Sequence, residues 1–152
     1  MSKIKLSLIG TFEAQLDGKP IKEFESSKVR ALLAYLAIES GRPHSRDHLA
    51  GLFWGESSDE VAAKNLRQAL SNLRKAIRDE DPTAPPLLVS PTAVQLDPGN
   101  DVWVDAIEFE SLRKTNLEHS HRHADLCDAC AARREKIISL YRGIFLQGYF
   151  LK

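Results

Sequence analysis

The order of patterns along this chain predicts an α+β fold, and three observations carry that reading. Apolar and polar residues alternate with a period of two near the start, three stretches with helical spacing follow, and a pair of short strand-like runs comes after them. At 152 residues the chain is long enough for one domain with its own core, or for one domain and part of a second.

Lys3 to Gly10 sets Ile4, Leu6 and Leu8 against Lys3, Lys5 and Ser7, the pattern of a half-buried strand. Phe12 to Leu16 repeats it, and Asp17-Gly18 turns the chain into Lys19-Pro20-Ile21, so a small N-terminal antiparallel sheet is expected. Ser26-Ser27 caps a first helix with Val29, Leu32, Leu33, Leu36 and Ala37 inward, stopped by Gly41 and Pro43. Ser45 caps a short second helix whose inner face is read as Leu49, Leu52, Phe53 and Trp54, ended by Gly55. A third helix opens at Ser58, where Asp59 and Glu60 suit the positive end of the helix dipole. Ala62, Leu66, Ala69, Leu70, Leu73 and Ile77 then hold one face as far as about Arg78.

Asp81-Pro82 and Pro85-Pro86 interrupt the chain, and Leu87 to Ser90 with Ala93 to Leu96 predict a hairpin around Pro91-Thr92. A last strand is expected at Val102-Trp103-Val104. No Gly/Ser spacer separates Leu96 from Ile107, so this strand should dock the C-terminal segment on the preceding fold, with the Trp103 ring buried. From Asp105 the spacing is helical: Ile107, Phe109 and Leu112 share a stripe, and a longer helix is expected from Ala124 to about Phe145. Such a helical hairpin cannot bury both of its faces, so it is expected to begin a larger helical array. The division is therefore placed between 1–100 and 101–152.

Sheet, three helices and hairpin, in that order, make a winged helix-turn-helix with a C-terminal hairpin wing. Helix 58–78 would expose Lys64, Gln68, Ser71 and Lys75, flanked by Arg67, Asn72 and Arg78, with no acid between Val61 and Arg78. Net charge is zero, but a local basic stripe matters more for phosphates than the overall balance. Cations suit phosphates and amides suit adenine edges, so this face, with Thr92 at the hairpin tip, points to the major groove of double-stranded DNA. The alternative is a winged-helix protein-interaction module without DNA binding. An acid-free face has no reason to persist on such a scaffold.

The chain has no Gly-x-Ser-x-Gly, no phosphate-binding Gly-rich loop and no His-Glu-x-x-His, so an enzyme is not expected. Zinc is considered at Cys127 and Cys130. On a helix, His123, Cys127 and Cys130 fall at i, i+4 and i+7, with His119 or His121 to close the tetrahedron. The competing reading buries both cysteines on an apolar stripe through Ile137, Ile138, Tyr141 and Ile144. A thioredoxin-like site needs its Cys-x-x-Cys at a helix start, whereas the pattern puts these residues inside one. No apolar run is long enough for a signal peptide or a membrane span, so a cytoplasmic protein without a membrane partner is expected.

Several motifs resemble one family of bacterial regulators. Leu32-Leu33-Ala34-Tyr35-Leu36-Ala37, Gly41-Arg42-Pro43, Ser45-Arg46-Asp47 with Leu49 and Leu52, and Trp54 are similar to the first two helices of the antibiotic-regulatory-protein (SARP) family. Asn65-Leu66-Arg67-Gln68-Ala69-Leu70-Ser71 with Leu73-Arg74 resembles its recognition helix. Val102-Trp103-Val104-Asp105 with Phe109-Glu110, and Leu140-Tyr141-Arg142-Gly143 with Phe145-Leu146 and Gly148, resemble the opening of its bacterial transcriptional activator domain, a tetratricopeptide-like unit. The resemblance implies a transcriptional activator that binds direct repeats as a homodimer and recruits RNA polymerase. In two places the chain departs from the family. The hairpin tip Ser90-Pro91-Thr92-Ala93 lacks the arginine such wings often carry, and the stretch from Asn116 to Arg134 is longer and richer in His and Cys.

Overall fold

The computed structural model describes residues 3–77, 86–97, 101–118 and 127–146. Strands β1 (Lys3–Ser7), β2 (Glu13–Leu16) and β3 (Lys19–Pro20) open the chain. Ile4 and Leu6 are fully buried while Lys3 and Lys5 are exposed, so the period of two is expressed as expected. Asp17 and Gly18 both have positive φ, 51° and 82°, which is what a two-residue hairpin needs to match strand twist. The Asp17 carboxylate also accepts the N–H of Lys3 at 2.7 Å, fixing the register.

Helix α1 (Ser27–Ile38) starts where the Ser26 hydroxyl accepts the N–H of Val29, and it buries Val29, Leu32, Leu33 and Leu36 at the centre of the core. Helices α2 (Arg46–Trp54) and α3 (Asp59–Ala76) are capped by Ser45 and Ser58 in the same way. Between α1 and α2 lies a strand the sequence did not announce, β4 (His44–Ser45). It pairs antiparallel with β6 (Ala93–Leu96), which pairs with β5 (Leu87–Val89), so the wing is a three-stranded sheet in the order β4-β6-β5. Two residues between a helix stop and a helix cap are too few to show alternation.

Leu52 does not belong to the inner face of α2, being 52% exposed. Leu49 and Ala50 are the buried pair, and at about 100° per residue Leu52 sits on the far side of Leu49 from Ala50.

Strand β7 (Asp101–Val104) lies parallel to β1, with Ile4 opposite Val102 and Leu6 opposite Val104, giving a sheet in the order β3-β2-β1-β7. The expected boundary at residue 100 therefore falls between two strands of the described fold. Trp103 is only half-buried, against expectation. Successive side chains of a strand point to opposite faces, so with Val104 in the core its neighbour faces outward, where the Lys5 ammonium lies 5.1 Å from the indole ring.

Helix α4 (Asp105–Glu118) begins at a buried carboxylate: Asp105 is 2% exposed and accepts the N–H groups of Leu8 and Ile9 at 2.8 and 3.1 Å. Helix α5 (Asp128–Leu140) is shorter than the predicted 124–145. After Gly143, at φ 152°, the chain returns to the first sheet: Ile9 bridges Phe145, and Gly10 donates to the Ile144 carbonyl at 2.8 Å. Gly10 itself has φ 93°, and a Cβ there would lie 3.1 Å from Arg142. Of the expected stripe only Cys130 is buried, while Cys127 and Ile137 are half-buried and Ile138, Tyr141 and Ile144 are exposed, so the packing expectation holds for Cys130 and not for the rest. Among the described residues no helix is long and apolar enough to cross a membrane.

Candidate nucleic-acid interface

The eighteen residues of α3 carry Asp59 and Glu60 in the first turn and Arg74 and Lys75 in the last, each matched to the helix dipole. Ala62, Leu66, Ala69, Leu70 and Leu73 face the core. Lys64, Arg67, Gln68, Ser71, Arg74 and Lys75 are exposed, and no acid stands among them after Glu60.

Asn72 is a correction to the predicted set. It is 7% exposed; its Oδ1 accepts the N–H of Glu25 at 2.9 Å and its Nδ2 donates to the Glu23 carbonyl at 3.1 Å. The amide satisfies the backbone of the segment leading into α1 and is unavailable to a base. Its position at the flank of the apolar stripe left periodicity unable to say which side it would join. Arg78, the other flanking residue named, lies outside the described residues, as do His119, His121 and His123.

The sequence reading missed Arg46. At the start of α2 its backbone N–H donates to the Thr92 carbonyl and its Nε to the Ser90 carbonyl, both at 2.9 Å, which ties the wing tip to the helix-turn-helix. Arg46, Arg67, Arg74, Lys75 and Ser71 line a groove of about 370 Å³ between α3 and the wing, floored by Leu70 and Val89. Thr92 is exposed at the wing tip, where the Ser90 hydroxyl accepts its N–H at 3.3 Å. The missed signal was the Ser45-Arg46 pair: a cap followed by a cation at the mouth of the predicted helix-turn-helix.

The cysteines also depart from expectation. Cys127 is the N-cap of α5 and not an interior residue, so a single helix does not carry the predicted i, i+4, i+7 set. Among the described residues no group of three or more His, Cys, Asp or Glu is placed to hold a metal ion.

Residues 24–90 match the family described as transcriptional regulatory protein, C terminal. The transcriptional regulatory protein EmbR of Mycobacterium tuberculosis and that of Mycobacterium bovis are each 32% identical to this chain over 75 residues, 49% of this chain and 19% of theirs. The chain thus spans about a fifth of the length of these curated relatives. A solved structure, Mycobacterium tuberculosis EmbR in complex with a low affinity phosphopeptide, superposes with a TM-score of 0.73 over 96% of this chain and 38% of that one, at 22% identity. The α+β winged helix followed by a helical hairpin is thereby borne out, as is the resemblance to this class of regulator. Residues 24–90 are thus similar to the C-terminal domain of transcriptional regulatory proteins, and the chain shares its fold with a solved mycobacterial EmbR structure.

Proposed function

We propose that this chain is the sequence-specific DNA-binding part of a cytoplasmic transcriptional regulator, an activator that places α3 in the major groove. The observation that carries the reading is the exposed, acid-free face of α3, with Arg67, Arg74 and Lys75 turned toward a groove that Arg46 and the wing complete. In this arrangement a phosphate strand runs between α3 and the wing, Lys64 and Lys75 hold phosphates, and Gln68 reads a base edge. Recruitment of RNA polymerase and dimerisation on direct repeats belong to the same proposal and rest on the family. The chain acts by binding, with no catalytic step.

Selection of bound sequences from random duplexes tests this directly and reports half-site spacing as well. Against the selected site, Gln68→Ala is expected to cost about 1–3 kcal/mol and to relax selectivity at one or two base pairs, since a bidentate contact is lost. Lys75→Ala is expected to weaken all duplexes alike and to flatten the salt dependence. Absence of binding to every duplex at low salt would overturn the reading. If Gln68→Ala weakened every sequence equally, specificity would have to come from the wing or from DNA shape.

A further inference from the structure

Cys127 and Cys130 form a nucleophilic pair that DNA binding leaves unused. The Cys127 backbone is extended, at φ −76° and ψ 161°, and its Sγ accepts the N–H of Cys130 at 3.4 Å as α5 begins. Cys130 is buried, 2% exposed, whereas Cys127 is only half-buried. One turn on, Arg133 donates from Nη2 to Cys130 Sγ at 3.4 Å and from Nε to Asn116 Oδ1 of α4 at 2.6 Å. The Asn116 amide in turn donates to the Cys130 carbonyl at 3.4 Å.

This geometry combines a reachable thiol, a shielded second thiol three residues on whose own N–H reaches the first sulfur, and donors on both sulfurs. Donors aimed at sulfur favour the thiolate, the species that reacts. The Cys127 thiol is held below its ordinary range, chiefly by the N–H of Cys130, with the Cys130 thiol, the N–H of Ala129 and the Arg133 charge adding to it. A tetrahedral metal site would need two further ligands, and it would set its cation beside the Arg133 guanidinium already on Cys130.

We propose that Cys127 and Cys130 are a reversible dithiol–disulfide site whose reaction partner is a low-molecular-weight disulfide. The Cys127 thiolate attacks one sulfur of the reagent, forming a mixed disulfide as the reagent's own S–S bond breaks and one thiolate leaves. Cys130 then attacks Cys127 Sγ, expels the second thiolate and hands it the Cys130 proton. The proton that Cys127 released to solvent neutralises the first leaving thiolate. Two electrons pass from the pair to the reagent, which becomes two thiols. Because Cys130 sits beneath the Arg133–Asn116 contact, oxidation acts on the joint between α4 and α5.

The test uses the full chain, purified without a polyhistidine tag and equilibrated with glutathione disulfide, with intact mass and free thiols as readouts. The expected product is a monomer two hydrogens lighter, returned to the dithiol by dithiothreitol. Cys130→Ser should stop at a single glutathione adduct on Cys127, and Cys127→Ser should react about ten-fold or more slowly. Unreactive thiols, separate adducts on both cysteines, or disulfide-linked dimers would overturn the proposal. So would stoichiometric zinc that must be removed before either thiol reacts, which would make the pair metal ligands. None of these readouts involves DNA, so the outcome is independent of the proposed function.

Discussion

Gln68 and Asn72 are one helical turn apart on α3 and carry the same amide, yet their surroundings give them different work. Gln68 is exposed among cations, while Asn72 holds the backbone at Glu23 and Glu25. Asn72→Ala removes both part-buried hydrogen bonds to the backbone of Glu23 and Glu25, so it should lower unfolding stability by about 1 kcal/mol. Base preference at the selected site should stay as it was. Chemical denaturation beside a binding profile checks both halves, and a shifted preference with intact stability would return Asn72 to the reading face. Composition and spacing alone did not separate these two residues. Periodicity names the centre of a buried stripe well and its edges poorly, because an edge residue joins whichever neighbour the tertiary fold brings to it.

At the scale of elements, the wing is held as well as extended. Arg46 connects α2 to the hairpin tip through two hydrogen bonds and adds a cation to the groove beside α3. Arg46→Ala is expected to weaken binding to all duplexes and to reduce the salt slope by about 1, one phosphate contact fewer. Arg46→Lys keeps the charge but cannot hold Ser90 while reaching a phosphate, so it should restore the slope only in part. Titrations at several salt concentrations decide this; a slope untouched by either variant would remove Arg46 from the interface. The three helices were legible because each has a Ser cap and an apolar stripe. β4 was not, since a two-residue strand exists only through its partner β6.

For the molecule as a whole, the joint between the winged helix and the C-terminal hairpin is a built interface. β7 completes the sheet beside β1, Asp105 satisfies the N–H groups of Leu8 and Ile9, and residues 144–146 return to the same edge. Asp105→Ala should therefore destabilise the chain by roughly 1–3 kcal/mol for each N–H left unpaired. The winged helix and the hairpin should still melt in one transition. Thermal unfolding followed by circular dichroism and by the fluorescence of Trp54 and Trp103 measures this, and an unchanged melting temperature would mean that the carboxylate holds nothing together. The exposed Leu117 and Ile138, at 72% and 71%, agree with a hairpin whose second face is left uncovered by the described residues.

The sequence alone determined the element order, the caps, the buried stripe of α3 and the cationic character of its other face, because these depend on periodicity and on contacts within a few residues. Docking of Val102 to Val104 was legible too, since an apolar strand without a spacer has to pack somewhere. Only the tertiary structure decided that β7 pairs parallel to β1, that Asn72 turns inward, that Arg46 joins the wing, and that Cys127 caps a helix. The first three depend on groups between 44 and 98 positions apart meeting in space, and a local pattern carries no record of a distant partner.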